Sequence, residues 1–488
     1  MRVLLSELVT NISPPLNEFR DVEIKGLTAD SRNVQPGFLF AALDGSCFRG
    51  RNFIPDALRQ GAVAILLSDQ IEDINLSDSI TLITDQNPRK SLAIMAARFY
   101  QNQPQFIAAV TGTNGKSSVA DFTRQIWINS NYKAASIGTL GLIQTDQIRD
   151  LQHTTPDPIE LHKTLAELSK QDTNRVIIEA SSHGLDQYRL DGADIIAAAH
   201  LNITHDHLDY HLDISKYLDA KAGLFSRVLS KNGTAVLNAD DSAYDYFQKI
   251  CSKRALRIIT YGSDEADLSL KSSKALGFSQ ELKLRCFGSE YEVCINLPGK
   301  FQIYNALASV ALAISTGVSL EDAIYCLPKL EGVRGRLELI DHHPNGAPII
   351  IDYAHSPAAI NSTLLELRKL TKGRLILVFG CGGDRDKKKR SQMGSIAESI
   401  ADIVFITDDN PRNENPAKIR KDILSGCPGA FEVGDRKEAI KRAISSLKSN
   451  DMLLVAGKGH ETTQILDANT LPFDDALVIR SSMGELKK

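Results

Sequence analysis

A short glycine-containing loop holds residue types that suit phosphate binding. The segment Val110–Ser118 reads Val-Thr-Gly-Thr-Asn-Gly-Lys-Ser-Ser; it follows an apolar run and opens a helical pattern that extends toward Ile128. Glycines permit a tight loop whose backbone N–H groups face a phosphate, and the N-terminus of the helix adds a favourable dipole. Lys116 can neutralise outer phosphates, while the Ser117 hydroxyl can coordinate Mg²⁺. The loop therefore predicts nucleotide binding.

This loop also leaves alternatives open. Its glycines, Gly112 and Gly115, are only three residues apart, which departs from the spacing Gly-x-x-x-x-Gly-Lys-Ser/Thr. The same residues would suit a turn that merely joins a strand to a helix. As a nucleotide site, the loop does not distinguish an ATPase, a kinase, a GTPase or a ligase.

Apolar runs that alternate with helical patterns must position this loop. Phe106–Val110 is predicted to be a buried strand, and Pro158–Lys170 has the apolar spacing of a helix. Such alternation is typical of a parallel α/β sheet. Further strands are predicted at Val176–Glu179, Ile195–Ile203 and Ala235–Asn238.

Two other regions flank this central part. The polar segment Gln101–Pro104 is predicted to be a linker, and the apolar runs Phe38–Leu43 and Ala62–Leu67 before it fit a small α/β domain. A second alternating series after Gly332–Arg336 predicts a separate Rossmann-like domain. Its strands are predicted at Pro348–Tyr353, Leu375–Gly380, Ile403–Thr407 and Met452–Gly457. We expect an α/β protein of three domains, at residues 1–103, 104–332 and 333–488.

Composition excludes several classes of protein. Hydrophobic residues make up 43% and charged residues 24%, as in ordinary folded proteins, and the net charge of -4 gives no general attraction to nucleic acid or anionic membrane. The seven cysteines form no Cys-x-x-Cys pair, which argues against a disulfide framework or a zinc site. Glu7 interrupts the only apolar stretch at the N-terminus, and no run reaches membrane-spanning length. We expect a cytoplasmic protein without membrane insertion.

Several further motifs carry a family resemblance. They are Ser181-Ser182-His183 after Glu179, Asn202–Asp209, Ala220-Lys221, Gly299–Ala306, Gly335-Arg336 and Asp352–Pro357. Each is weak alone, but their order and spacing over nearly the whole chain resemble the Mur ligase family. Three C-terminal motifs resemble the members of that family that add 2,6-diaminopimelate: Gly382–Arg385, Asp409–Arg412 and Gly457–Glu461.

The resemblance implies a reaction and a division of labour. A small N-terminal domain would bind the UDP end of the substrate, a central ATPase-like domain would bind ATP with Mg²⁺, and the C-terminal domain would receive the amino acid. The enzyme would join meso-diaminopimelate to UDP-N-acetylmuramoyl-L-alanyl-D-glutamate in peptidoglycan synthesis. ATP would phosphorylate the free carboxylate, and the amine would attack the acyl phosphate, releasing phosphate beside ADP. We expect a monomer that binds no nucleic acid.

The resemblance also assigns roles at the central site. Lys116, Glu179, His207 and Lys221 would be catalytic. Glu179 would hold Mg²⁺ together with Ser117, and His207 would hold a second ion with Lys221, which the family carries as a carbamate. Without the resemblance these residues would be read as a strand terminus, a polar loop and a solvated helix lysine. The implied nucleotide-binding residues are Gly112, Thr113, Asn114, Gly115, Lys116, Ser117, Ser118, Asn305 at the adenine, Arg336, Asp352 and His355.

Three groups of residues would bind the other substrates. The resemblance places Ser31 and Ala29 at the uridine, and it directs Thr154, Thr155, Ser181, Gln187 and Arg189 toward the muramoyl peptide. Around the amino acid it places Arg385, Asp409, Asn410, Pro411, Arg412, Gly457 and Glu461. Arg412 would offer a guanidinium fork to the far carboxylate of diaminopimelate. The alternative is that Asp409–Arg412 is only a turn.

The chain departs from the family pattern in two places. Lys388 and Ser391 stand where glycine and proline are expected, and Asp44–Phe48 differs from the second uridine-side loop. Three competing functions remain: an L-lysine-adding Mur ligase, a folylpolyglutamate synthetase-like ligase and a non-catalytic nucleotide-binding scaffold. The first domain and the Asp409–Arg412 motif argue against the second, while the intact catalytic residues argue against the third.

Overall fold

Three sheets, each with its own helices, organise the chain. The computed structural model describes residues 2–10, 12, 21–45, 48–68, 80–145, 147–204, 208–211, 213–467 and 469–486. The three sheets have four, eleven and six strands, and two small two-stranded sheets accompany them. The predicted α/β class is confirmed. None of the helices in these ranges is long and apolar enough to cross a membrane.

The N-terminal sheet contains four parallel strands in the order β3-β4-β5-β6. Its strand residues alternate between two apolar clusters, so both faces are covered. The elements of this region are β1 (Val3–Leu4), α1 (Leu5–Val9), β2 (Glu23–Ile24), β3 (Gly26–Thr28), β4 (Phe38–Ala41), α2 (Ile54–Arg59), β5 (Ala64–Ser68), β6 (Thr81–Asp85) and α3 (Pro88–Tyr100).

The central sheet has a parallel core that antiparallel strands extend at both edges. Its strands are β7 (Phe106–Thr111), β8 (Ala134–Gly138), β9 (Gly141–Ile143), β10 (Ile148–Arg149), β11 (Arg175–Glu179), β12 (Ile195–His200), β13 (Thr234–Asn238), β14 (Arg257–Gly262), β15 (Leu268–Leu276), β16 (Ser279–Cys286) and β17 (Ser289–Ile295). Their order is β10-β9-β8-β11-β7-β12-β13-β14-β15-β16-β17. The helices are α4 (Lys116–Asn129), α5 (Pro158–Lys170), α6 (Ser182–Asp186), α7 (Leu208–His211), α8 (Ile214–Gly223), α9 (Tyr244–Lys253), α10 (Lys300–Ser315) and α11 (Leu320–Cys326). The predicted parallel core is confirmed, whereas the antiparallel strands β15 to β17 were not predicted.

The C-terminal sheet follows the order β18-β19-β23-β20-β21-β22 and is parallel except for β18. Apolar clusters lie on both of its faces, as the Rossmann-like prediction requires. Its strands are β18 (Glu338–His342), β19 (Pro348–Asp352), β20 (Leu375–Phe379), β21 (Ile403–Ile406), β22 (Phe431–Glu432) and β23 (Met452–Ala456), followed by the hairpin β24 (Thr463–Leu466) and β25 (Asn469–Pro472). The helices are α12 (Pro357–Leu370), α13 (Lys388–Ile400), α14 (Pro416–Leu424), α15 (Arg436–Ser445) and α16 (Asp475–Leu486).

Several predicted strands end one residue too late, and one ends three residues too late for a reason that matters for the site. The run Ile195–Ile203 was predicted as a single strand, but β12 ends at His200. Beyond it the backbone leaves the sheet and turns to the glycine-containing loop within Val110–Ser118, called the phosphate loop below, where Thr113 N donates to Asn202 O over 2.9 Å. Leu201 continues the apolar pattern past the strand end because it packs against Gly112 and Gly115 of that loop.

Candidate functional site

The phosphate loop joins β7 to α4, as predicted. Gly115 precedes the helix with φ of 90°, and an added Cβ there would stand 2.5 Å from Asn305 Oδ1. Both the backbone conformation and the close approach of Asn305 therefore require glycine. Lys116 Nζ folds back over the loop and donates to the carbonyl oxygens of Gly112 and Thr113 over 2.8 and 2.9 Å.

The segment after β12 holds the other side of this loop. Asn114 N donates to Asn202 Oδ1 over 2.9 Å, and Asn202 Nδ2 donates to Asn114 O over 3.1 Å. Thr204 N donates to Thr113 Oγ1 over 3.0 Å. These bonds fix the conformation of the loop. His207 follows this segment and lies outside the described residues, so its predicted metal role stays a prediction.

A carboxylate lies directly beside the loop hydroxyl. Glu179 ends β11 and is 2% exposed, and its Oε2 accepts from Ser117 Oγ over 3.1 Å. Thr139, which was not predicted, donates to the same carboxylate through its backbone N over 2.9 Å and its hydroxyl over 3.1 Å. Carboxylate and hydroxyl oxygens are the ligands that Mg²⁺ prefers. The donor set of Ser117 and Glu179 therefore fits such an ion.

Lys221 reaches the loop from α8. Its side chain is 1% exposed, and its Nζ donates to Gly112 O over 2.8 Å. The same amine lies 4.6 Å from the centre of the Tyr217 ring. Lys116 and Lys221 thus converge on one carbonyl oxygen, which brings the two lysines predicted as catalytic to the same end of the phosphate loop.

A cavity of about 290 Å³ opens between the phosphate loop and the C-terminal sheet. From the C-terminal side, Arg336 Nη2 donates to Ser117 Oγ over 3.2 Å, and its guanidinium lies 4.5 Å from the centre of the Tyr353 ring. Burial raises the pKa of Asp352, while the positive charge of Arg336 acts to lower it. Among the lining residues are the predicted nucleotide residues Asn114, Gly115, Ser117, Ser118, Asn305, Arg336, Asp352 and His355.

The residues predicted for the muramoyl peptide form one hydrogen-bonded group. Thr155 Oγ1 lies 2.9 Å from Ser181 Oγ, and Arg189 donates to Thr155 O over 2.7 Å. Arg189 also donates to Gln187 Oε1 over 2.9 Å, which orients its guanidinium. Thr154 Oγ1 lies 3.1 Å from the Thr139 hydroxyl, which contacts Glu179. This group therefore adjoins the carboxylate beside the phosphate loop.

The two residues predicted at the uridine lie just beyond β3. Ser31 is 8% exposed and begins a short 3₁₀ turn, and its carbonyl oxygen accepts from Gln60 Nε2 over 2.9 Å. Ala29 is exposed beside it. In the neighbouring loop Asp44 Oδ1 accepts from Gly50 N over 2.9 Å, while residues 46 and 47 lie outside the described part of the chain.

The residues predicted around the amino acid come from three loops of the C-terminal sheet. Asn410 Nδ2 donates to Glu461 Oε2 over 2.8 Å, and an added Cβ on Gly457 would stand 2.7 Å from Asp409 Oδ2. Pro411 is buried before Arg412, which has the unusual φ of 53°, and Arg412 Nη1 donates to Gly383 O over 2.8 Å. The motif Asp409–Arg412 is thus a turn after β21, and it also faces the other predicted residues.

The loop around Arg385 departs from the family pattern, but an ion pair still fixes the helix that follows it. Arg385 is exposed, and α13 begins at Lys388, one of the two departures; Ser391 lies within that helix. The buried Arg390 donates to Glu414 over 3.0 Å and lowers the pKa of that carboxyl to about 2. This ion pair ties α13 to the segment that follows Arg412.

The chain is similar to known proteins in both sequence and structure. Family models match residues 23–100 ("Mur ligase family, catalytic domain"), 110–313 ("Mur ligase middle domain") and 335–459 ("Mur ligase, glutamate ligase domain"). Among curated relatives, UDP-N-acetylmuramoyl-L-alanyl-D-glutamate--2,6-diaminopimelate ligase of Brucella melitensis biotype 1 is 45% identical over 96% of this chain and 95% of its own length. The ligase of the same name from Bradyrhizobium diazoefficiens is 46% identical over 95% of each chain.

Solved structures of ligases are also similar to this chain. A structure of UDP-N-acetylmuramoyl-L-alanyl-D-glutamate--2,6-diaminopimelate ligase matches with a TM-score of 0.72 and 30% identity, covering 100% of both chains. MurF ligase from Thermotoga maritima in complex with ADP matches with a TM-score of 0.64 and 17% identity over 94% of this chain and 97% of its own. A Mycobacterium tuberculosis folylpolyglutamate synthase complexed with ADP and AMPPCP is 16% identical, with a TM-score of 0.64 over 81% of this chain and 95% of its own. The last two share the fold.

Proposed function

This chain belongs to the Mur ligase family, and from that premise we propose that it joins meso-diaminopimelate to UDP-N-acetylmuramoyl-L-alanyl-D-glutamate at the expense of ATP. The relatives named above carry that activity in their names. The observation that carries the proposal from the geometry is the contact of Arg336 with Ser117. This contact joins the phosphate loop to the sheet whose loops carry Arg412 and Glu461. A ligase needs the nucleotide site and the amino-acid site next to each other, whereas a lone ATPase does not.

ATP is the nucleotide we infer for the cavity. Two solved structures of the same fold contain ADP, which supports an adenine nucleotide as the ligand. Asn305 lines the cavity beside the loop and is the candidate contact for the adenine. Lys116, the helix N-terminus and Arg336 would oppose the charge on the phosphates, so that the chain contributes mainly positioning and electrostatic stabilisation.

Ser117 and Glu179 are the residues we assign to Mg²⁺, which supplies charge neutralisation when it is bound. We further propose that Lys221 carries a carbamate. An ammonium only donates hydrogen bonds, whereas the carbamate formed from the neutral amine and CO₂, with loss of a proton, offers oxygens to a second ion. His207 would be its partner. The burial of Lys221 at the end of the phosphate loop supports this assignment.

The three sheets support a division of substrates among domains. We propose the functional units 1–103 for the UDP end, 104–332 for ATP and 333–488 for the amino acid. Thr155, Ser181 and Arg189 would bind the muramoyl peptide beside Glu179. A cytoplasmic site of action is part of the proposal, and the six described cysteines, all free, are consistent with it.

A phosphate-release assay tests the proposed function. The purified chain is given ATP, Mg²⁺ and UDP-N-acetylmuramoyl-L-alanyl-D-glutamate with either meso-diaminopimelate, L-lysine or no amino acid, and product mass is measured in parallel. We expect phosphate release that requires both the peptide and diaminopimelate. Turnover that needs no amino acid, or that occurs with a folate and glutamate instead, would contradict the proposal.

A further inference from the structure

A lysine is completely buried between the loops assigned to the amino acid. Lys458 follows β23, its side chain is 0% exposed, and its Nζ lies 3.2 Å from Glu461 Oε2. The same amine donates to Asn410 Oδ1 over 3.0 Å. Removal of an ammonium from water is costly unless charge and hydrogen bonds replace the water. These partners therefore hold Lys458 in place, and Lys458 in turn constrains them.

The amide of Asn410 is oriented by these bonds. Its Oδ1 accepts from Lys458 Nζ and also from Ile465 N, over 3.0 Å in both cases. Because both of these groups only donate, they identify this atom as the amide oxygen. The nitrogen then donates to Glu461 Oε2 over 2.8 Å. Asn410 is thus a bridge inside the protein.

Glu461 is the residue that this bridge orients. Its Oε2 takes both internal donors, from Asn410 and from Lys458. Its side chain is still 29% exposed, so the carboxylate also reaches the surface of the site. Asp409, a second carboxylate, is buried in the same loop as Asn410. Lys458 gives Glu461 an internal cation 3.2 Å from its Oε2, and this contact fixes the carboxylate in the site.

We propose that Lys458 is a positioning residue that, together with Asn410, aims Glu461 at the ammonium group on the far end of the incoming amino acid. This inference rests on the proposed function. Arg412 N donates to Ile465 O over 3.1 Å, so Ile465 holds the backbone of Arg412 as well as the amide of Asn410. One hydrogen-bonded unit therefore carries both an anion, Glu461, and a cation, Arg412, which together complement a zwitterionic end.

Two substrates separate this role from a purely structural one. meso-Diaminopimelate carries the far ammonium, while 2-aminopimelate keeps the far carboxylate and lacks that ammonium. In Lys458→Met, which keeps the length and removes the charge, we expect KM for diaminopimelate to rise about 10- to 100-fold. The KM values for ATP and for the muramoyl dipeptide, and the constant for 2-aminopimelate as substrate or competitive inhibitor, stay within about twofold. Lys441→Met is the matched control, because it removes an exposed lysine that pairs with Glu485 over 3.3 Å.

A double-mutant cycle completes the test. If Lys458 acts through Glu461, then Lys458→Met adds nothing to the loss caused by Glu461→Gln. Additive losses, or equal losses for both amino acids, would overturn the proposal for Lys458. If Lys458→Met does not fold, Lys458→Gln, which keeps a donor without charge, is compared in the same way. A wild type that does not use diaminopimelate at all would instead contradict the proposed function, so the two failures are distinguishable.

Discussion

The guanidinium of Arg336 donates to the hydroxyl of Ser117 over 3.2 Å, although 219 residues separate them in sequence. Arg336 lies between the central and C-terminal sheets and packs over the Tyr353 ring. Ser117 in turn donates to Glu179. The phosphate loop is therefore completed by a residue outside its own sheet, and in the proposed reaction Arg336 would place a cation beside the transferring phosphate.

Loss of this cation is expected to slow the chemical step. Arg336→Ala should lower kcat by about 10²- to 10³-fold, the typical effect of removing one donor that stabilises developing charge. The KM for the amino acid should change little. Arg334→Ala is the matched control, since Arg334 is a neighbour in the chain that is 54% exposed and pairs with Asp474. Similar kcat values for the two variants would show that Arg336 does not act on the phosphate.

Lys116→Ala is expected to abolish ligation and leave the fold intact. The side chain compensates charge at the loop, and it donates to the carbonyl oxygens of Gly112 and Thr113 rather than packing in an apolar core. Circular dichroism and thermal unfolding should match the wild type, while phosphate release falls to background. Near-normal turnover would sink the assignment of the phosphate loop.

The carbamate on Lys221 is directly observable. Incubation of the wild type with ¹³C-bicarbonate should give a carbamate carbon signal. In Lys221→Ala this signal should disappear, the dependence on Mg²⁺ should weaken and activity should be lost. Lys216→Ala, on the same helix but exposed, should keep both the signal and the activity. High-resolution density for an unmodified ammonium in an active, metal-loaded complex would count decisively against the modification.

A buried ion pair in the C-terminal domain predicts a large effect on stability. Arg436 and Asp475 are both fully buried, with Nη2 and Oδ2 2.7 Å apart, and Arg436 also donates to Ala456 O over 2.9 Å. Asp475→Asn leaves the guanidinium without its counter-ion and should cost about 3–5 kcal/mol in the free energy of unfolding. Glu485→Gln, which breaks an exposed pair with Lys441, should cost about 0–1 kcal/mol. Urea unfolding of both variants measures the difference, and equal costs would contradict it.

Local signals in the sequence predicted the elements best. The helix Pro158–Lys170 has the predicted bounds, because Asp157 caps two backbone N–H groups and proline occupies the first turn. The strands β15 to β17 were missed. Ser279–Cys286 does alternate between buried and less buried residues, but its polar residue types hid that period.

Some contacts in the site could not be predicted from the sequence. Motif order brought Lys116, Glu179 and Lys221 to one loop, yet Thr139, which donates twice to Glu179, carries no local signal. Lys458 stands between two glycines and is typical of an exposed turn, but the fold buries it. Hydrogen bonds between distant segments decide both cases, and a single sequence contains no trace of them.

The last prediction is that the enzyme selects meso-diaminopimelate over L-lysine, because the two differ chiefly by a carboxylate at the far end. Arg412 Nη1 donates to Gly383 O over 2.8 Å, and this bond orients the guanidinium while leaving further N–H groups for a carboxylate. With lysine bound, that guanidinium would be desolvated and unpaired.

Polar recognition of this kind can discriminate by roughly 10⁴ in kcat/KM. Arg412→Ala should remove most of that preference by lowering kcat/KM for diaminopimelate, while the value for L-lysine stays close to that of the wild type. Arg442→Ala, which removes an exposed arginine paired with Glu438, should leave both values unchanged. Equal wild-type efficiency with L-lysine would refute the specificity even if ligase activity were found, because the loop of Arg412 would then be a turn and nothing more.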